Sequence, residues 1–277
     1  MTISFTKMHG LGNDFIVIDA TQVPLSLSRQ HIARLSNRHT GIGFDQCLVL
    51  ESSSLPEVDF FYRIFNANGQ EVGQCGNGAR CLGRYIQARG LSQKAELCIQ
   101  TNTTQMRLQL HPDHSVTVQF SPPLLAPHQI PLQTTQQAVE YSVTIGQDSY
   151  CFHAINVGNP HAILLITNFD NIDIPTVGHT LSTHPFFPEQ INVGFVKIDD
   201  PKHLQLRVYE RGCGETQACG SGAVAAAAIG HLYHQMAESI TVSLLGGDLQ
   251  IHWPNQSGPI YLRGPATFVY EGTILED

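Results

Sequence analysis

Short apolar or alternating runs recur along the chain at 15–18, 47–50, 60–65, 116–120, 162–166 and 240–244. Runs of this length, bounded by turn-forming residues, predict β-strands. Patterns with helical periodicity are fewer and predict helices over about 28–37, 78–89, 176–183 and 221–235. The segment SPPLLAPHQIP (121–131) carries four prolines in eleven residues. It fits neither a helix interior nor a central strand and is expected to link two halves.

The halves resemble each other. Residues 65–80 read FNANGQEVGQCGNGAR and residues 209–224 read YERGCGETQACGSGAV. With Cys75 placed on Cys219, an offset of 144, Glu71 falls on Glu215, Gly76 on Gly220, Gly78 on Gly222 and Ala79 on Ala223. Asn66 falls on Glu210. Upstream, Gly12-Asn13-Asp14-Phe15 matches Gly158-Asn159-Pro160-His161 at an offset of 146. Two matches in the same order imply an internal duplication. The expected fold is α/β: two similar domains, each a sheet with a helix launched from its CGxG turn.

Composition narrows the function. Hydrophobic residues make up 42% of the 277 and charged residues 14%, enough for packed cores. The formal net charge is -8 with a pI near 5.9, which argues against a nucleic-acid partner. No run of 18 apolar residues suggests a membrane span, and the first residues do not read as a signal peptide. A cytoplasmic protein is expected. Its seven cysteines are odd in number and contain no CxxC pair, so a disulfide framework is not expected.

The two repeated cysteines stand apart from the others. Cys75 and Cys219 each precede Gly-x-Gly and a helical pattern, so each is placed at a helix N-terminus. The helix dipole and unpaired N–H groups there favour negative charge and are expected to lower a thiol's pKa. The same N–H groups can hold a carboxylate, with Asn77 and Ser221 as added donors. Inverting a carbon centre by proton transfer needs a base on one face and an acid on the other. A duplicated pair of such cysteines suits that chemistry. Cys47, Cys98 and Cys151 lie in strand-like runs and read as core residues, as does Cys81 on the helix after Cys75. Cys213 reads as a small-residue replacement in a Gly-rich loop.

Beyond these spacings, the chain resembles the diaminopimelate epimerases over essentially its whole length. The likeness is carried by KMHGLGNDF (7–15), GFDQ (43–46), FNANG (65–69), QCGNGARC (74–81), NVGNPH (156–161), NVGF (192–195), YERGCGETQACGSGA (209–223) and FVYEG (268–272). It implies two pseudo-symmetric domains, each a curved, mostly antiparallel sheet around a central helix, with the active site in the cleft between them. The last strand returns to the first domain, giving expected domains 1–120 with 264–277, and 121–263. The implied reaction interconverts LL- and meso-2,6-diaminopimelate without a cofactor or metal, on the route to lysine and peptidoglycan precursors.

By the same resemblance Cys75 and Cys219 are the acid/base pair, and His161 and Glu210 tune their pKa values. Gly76, Asn77, Gly220 and Ser221 hold the reacting carboxylate. Asn13, Gln46, Asn66, Asn159, Asn192, Glu210 and Arg211 line the substrate pocket. Tyr270 is tied to a homodimer. The chemistry is compatible: Arg211 offers a bidentate fork for a distal carboxylate, and Glu210 an acceptor for its ammonium. Cys213 departs from the family, which usually has a small apolar residue there.

Three rivals remain. A proline or hydroxyproline racemase shares the two-cysteine logic, but its substrate has one charged end. A pyridoxal-phosphate racemase needs a Schiff-base lysine, and none of Lys7, Lys94, Lys197 and Lys202 lies in a Gly-rich phosphate loop. A thiol-based redox or metal-binding module is suggested by fourteen histidines, yet no Cys/His cluster has zinc-type spacing.

Overall fold

The protein is described here from a computed structural model covering residues 2–73 and 75–275. Gln74 of the first cysteine motif, and positions 1, 276 and 277 of the first expected domain, lie outside the described residues. The chain forms two compact units. One runs to Gln119 and is rejoined from Arg263 onward; the other is Phe120–Leu262.

The first unit opens with β1 (Ile3–Gly10) and β2 (Asn13–Asp19), antiparallel, with Gly10 opposite Asn13. The two residues between them, Leu11 and Gly12, both have positive φ (57° and 90°). That is the turn whose twist matches a tight hairpin. Helix α1 (Arg29–Ser36), N-capped by Ser28, then leads to β3 (Gln46–Ser52), which lies parallel to β2. Strand β4 (Phe60–Asn66) pairs antiparallel with β3 and with short β5 (Glu71–Val72). Helix α2 (Gly76–Arg89) follows and ends on Gly90, whose φ of 63° permits the left-handed cap. Strands β6 (Glu96–Gln100), β7 (Gln105–Leu110) and β8 (Val116–Phe120) complete the run.

The second unit begins with β9 (Tyr141–Ile145) and repeats the first almost register for register. Its elements are β10 (Asp148–Asn156), β11 (Pro160–Leu165), α3 (Ile174–Ser182), β12 (Asn192–Asp200), β13 (His203–Glu210), β14 (Gly214–Thr216), α4 (Gly220–Tyr233), β15 (Ser239–Leu244) and β16 (Gly247–His252). Phe15 opposite Gln46 becomes His161 opposite Asn192. Cys47 opposite Phe65 becomes Val193 opposite Tyr209, and Ile64 opposite Val72 becomes Val208 opposite Thr216. Even the ion pairs repeat. Arg63 grips Glu71 bidentately at 2.9–3.1 Å, and Arg207 grips Glu215 at 2.6–3.0 Å. The first hairpin differs: three residues, 157–159, separate β10 from β11, so His153 lies opposite Ile163 where Lys7 lies opposite Ile16. The chain re-enters the first unit within β17 (Ile260–Gly264), and β18 (Thr267–Ile274) pairs antiparallel with β1.

Each unit packs its sheet around the helix that follows its cysteine. In α4 every residue from Gly220 to Gly230 except Ser221 is buried, which explains an alanine-rich sequence with no polar face. In α2 the inward residues extend to Tyr85 and Ile86.

Four sequence expectations change. Both central helices begin earlier than the periodicity suggests, because the glycines form their first turn. A Cβ on Gly78 would lie 3.2 Å from Leu48, and one on Gly222 3.0 Å from Val208. Glycine therefore marks close helix-to-strand packing here, not a loop. The proline segment 121–131 is not a loose linker. Leu124 pairs with Asn156 in both directions, and Ile130 joins the core of the second unit. Cys47 and Cys81 are core residues, but Cys98 is half-buried and Cys151 exposed. Leu97 and Ile99 take the inward positions of β6 and Phe152 that of β10, so the adjacent cysteines alternate outward.

Candidate active site

Cys75 and Cys219 are the N-cap residues of α2 and α4, both in extended backbone, φ -153° and -124°. Each is followed by a 14-residue helix whose first-turn N–H groups point back toward it. The Cys75 Sγ accepts from the Gly78 N–H at 3.3 Å.

In the first unit the candidate polar residues form two groups. Asn77 Nδ2 donates to Asn13 Oδ1 at 3.1 Å, and Asn13 Nδ2 donates to Asp45 Oδ2 at 2.8 Å. Asp45 is held by Arg38 and by the Asp14 N–H. Asp14 itself sits between Lys7 and Arg38. Burial alone would raise its carboxyl pKa, but hydrogen bonds and charge from Arg38 and Lys7 outweigh that and hold it well below the usual range. Separately, Gln46 Nε2 donates to Asn66 Oδ1 at 2.8 Å across the β3–β4 pair. The Gln46 Oε1 is buried without a partner among the described residues.

The second unit brings His161, Asn159 and Ser221 to Cys219. His161 Nε2 lies 3.1 Å from Asn159 Oδ1 and 3.0 Å from Ser221 Oγ; Ser221 Oγ lies 3.6 Å from the Cys219 Sγ. The amide oxygen only accepts, so Nε2 carries the imidazole proton. The Ser221 hydroxyl, accepting from His161, is then placed to donate to sulfur. Burial, helped by the Arg211 charge, pushes the His161 pKa down to about 3, so the ring is neutral.

The helix-end expectation fails for Cys219. Complete burial pushes its thiol well above the ordinary value, and the Glu210 carboxylate adds to this. The Ser221 hydroxyl and the Gly222 N–H oppose the rise without cancelling it. Desolvation of a thiolate outweighs a helix terminus at a fully buried site. Glu210 is anchored by the Thr216 hydroxyl at 2.5 Å. Asn192 Oδ1 accepts from the Arg211 N–H, and the exposed Arg211 guanidinium donates to the Glu189 carbonyl at 3.0 Å. Gly76 and Gly220 are the first residues of their helices. Cys213 is exposed at the tip of the β13–β14 hairpin, its N–H on the Glu210 carbonyl.

Tyr270 lies on β18, opposite Lys7 of β1. It stacks edge-on against Phe5 at 5.9 Å and is 45% exposed. Among the described residues no group of three or more His, Cys, Asp or Glu side chains is arranged to hold a metal ion. Among the described residues no helix is long and apolar enough to cross a membrane.

Arg80, Asp45 and Thr216, each one bond removed from a candidate residue, are not marked by the sequence motifs as site residues. Arg80 left a signal: its duplicate position, at an offset of 144, is Val224.

The sequence pattern of the diaminopimelate epimerases matches residues 5–125 and 153–269. The chain belongs to the diaminopimelate epimerase family. It is 55% identical over 276 residues to the diaminopimelate epimerase of Legionella pneumophila (strain Corby), covering 99% of this chain and 100% of that one. It is 44% identical to the Pseudomonas aeruginosa (strain LESB58) enzyme of the same name, covering 99% of each. A crystal structure of a hydroxyproline epimerase from Agrobacterium vitis superposes with a TM-score of 0.70 at 14% identity, covering 99% of this chain and 92% of that one. At that identity the likeness is one of fold. The family and its relatives agree with the α/β, duplicated-domain architecture expected from sequence.

Proposed function

We propose that this member of the family interconverts LL- and meso-2,6-diaminopimelate by two-base proton transfer at Cα, serving lysine and peptidoglycan precursor synthesis in the cytoplasm. The observation that carries the reading is the pair of cysteines in the same N-cap position of two register-equivalent units. In the reaction one thiolate removes the Cα proton, and its electron pair passes into the adjacent carboxylate as an enediolate-like anion. The other thiol then delivers its proton to the opposite face of the carbon. Each turnover leaves the cysteines with exchanged protonation, and no redox step is needed.

The helix-end N–H groups of Gly76, Asn77, Gly220 and Ser221 stabilise the charge that develops on that carboxylate. Asn13, Gln46, Asn66, Asn159, Asn192, Glu210 and Arg211 take the charged distal end. His161 and Glu210 act on the ionisation of the cysteines. Tyr270, exposed on β18, belongs to the contact of a homodimer. A zwitterionic distal end separates this substrate from proline, which has none.

The test is solvent-deuterium exchange at Cα with reduced protein and no added cofactor. LL- and meso-diaminopimelate should exchange and proline should not. Cys75→Ala and Cys219→Ala should each abolish epimerisation; full activity in either variant would overturn the scheme.

A further inference from the structure

The two cysteines occupy equivalent backbone positions in unequal electrostatic surroundings. Arg80, five residues after Cys75, is fully buried and heads the large fully buried side chains among the described residues. Its Nη1 donates to Asn77 Oδ1 at 3.0 Å and its Nε to the Pro265 carbonyl at 3.3 Å. Among the described residues its Nη2 has no hydrogen-bond partner, and it lies 3.0 Å from where a Cβ on Gly10 would stand. Among the described residues no carboxylate forms an ion pair with it. A buried guanidinium lacking a counter-ion is strongly unfavourable unless an anion lies near.

The groups whose negative charge acts on Arg80 are Cys81 and Cys75. Cys81 is fully buried, and burial pushes its thiol up to about 12, so it stays protonated. Tyr62 on β4, also fully buried, is held protonated by burial and by the charge of Cys75. Strand β7 turns only Met106, Leu108 and Leu110 inward, and β3 presents Leu48 to α2, its neighbour Cys47 lying in the core on the other face. On β1 and β2, Lys7 and Asp14 pair with each other. Cys75 is therefore the group placed to supply the missing negative charge.

Arg80 also sets the direction of the amide relay. A guanidinium only donates, so Asn77 must turn its Oδ1 to Arg80 and its Nδ2 to Asn13. Asn13 must then donate to Asp45. In the second unit the duplicate position holds buried Val224, while Glu210, the counterpart of neutral Asn66, puts a carboxylate against Cys219.

We propose that Arg80 is a positioning residue: its buried guanidinium fixes the amide of Asn77 and supplies at Cys75 a positive charge that has no counterpart at Cys219. The proposal rests on the two-cysteine reading and assigns the resting protein an ionised Cys75 and a protonated Cys219. The proton is thus held on Cys219 before substrate arrives.

The experiment follows alkylation of each thiol by iodoacetamide across pH, without substrate, by mass spectrometry of the Cys75 and Cys219 peptides. In the unmodified protein the Cys75 midpoint is expected at least one pH unit below that of Cys219. Arg80→Met should raise the Cys75 midpoint by a unit or more, with Cys219 unmoved; Arg80→Lys should recover most of the shift. An unmoved Cys75 midpoint in folded Arg80→Met overturns the proposal, as does a Cys75 midpoint at or above that of Cys219. Should Arg80→Met not fold by circular dichroism, Gly10→Ala, which crowds Nη2, should raise the Cys75 midpoint, and an unmoved midpoint there overturns the proposal. Failure of diaminopimelate exchange would sink the proposed function while leaving these midpoints readable.

Discussion

Ser221 joins two roles in one hydroxyl. It stands at the start of α4, where a substrate carboxylate is proposed to bind, and it passes a hydrogen bond from neutral His161 toward the Cys219 sulfur. A hydrogen bond to a charged acceptor contributes about 1.5–3 kcal/mol, so its loss should suppress the Cys219 thiolate by roughly ten- to a hundredfold. Ser221→Ala is expected to move the limb of the pH–rate profile that reports Cys219 ionisation upward by a unit or more. At pH 7 the turnover should fall, not only the apparent substrate affinity. Ser221→Thr, which keeps the hydroxyl, should recover much of the rate. A profile unchanged in Ser221→Ala would mean that the 3.6 Å contact does not act on sulfur.

At the level of elements, the glycines of the two CGxG turns decide where the helices begin. Adding a methyl at Gly222 places it 3.0 Å from Val208 and 3.3 Å from the Cys219 Sγ. Overpacking of this kind destabilises by about 1–3 kcal/mol and displaces what it touches. Gly222→Ala should lower the melting temperature and reduce epimerisation beyond what the lost stability explains. Gly178→Ala should cost more stability, since its Cβ would fall 2.5 Å from the Tyr209 side chain, with less effect on the thiol. Equal activity losses in the two variants, after correction for folded fraction, would contradict that distinction. These glycines also show where sequence reading reached its limit. Helix α2 was legible from its periodicity, α4 from its alanine-rich run and the cysteines from their repetition, because all are written in neighbouring residues. The helix starts were not, since Gly-Asn-Gly signals a turn unless the strand pressed against it is known. Arg80 was hidden for the same reason: its burial and its bond to Pro265 join residues 185 positions apart. The reversed ionisation tendency of Cys219 depends on how thoroughly it is desolvated, which motif spacing does not encode.

For the whole molecule, the buried titratable groups bound the pH range of stability from both sides. His161 is fully buried with a pKa pushed down to about 3, against an ordinary value of 6.5. Below pH 6.5 the unfolded chain takes up a proton that the folded protein refuses, so stability is lost as pH falls from 6.5 toward 3. At pH 5 that amounts to about 2 kcal/mol. Asp14 adds to the acid loss once pH falls below about 4, because its folded pKa is depressed. On the alkaline side, Cys47 and Cys81 are pushed up to about 12 from 9.0, and Cys219 is raised as well. A raised thiol pKa favours the folded state below the unfolded value and is a liability above it, since the unfolded chain can ionise and the core cannot. Above pH 9 each such thiol should remove about 1.4 kcal/mol per pH unit. Urea unfolding should therefore show a plateau between about pH 6.5 and 9, with a fall on both sides. His161→Gln should flatten the acid limb, and a Cys47→Ala, Cys81→Ala double variant should flatten the alkaline limb while lowering the plateau through the small cavities it leaves. If unfolding free energy at pH 10.5 equals that at pH 8, the thiols are less desolvated than their burial in the two units requires.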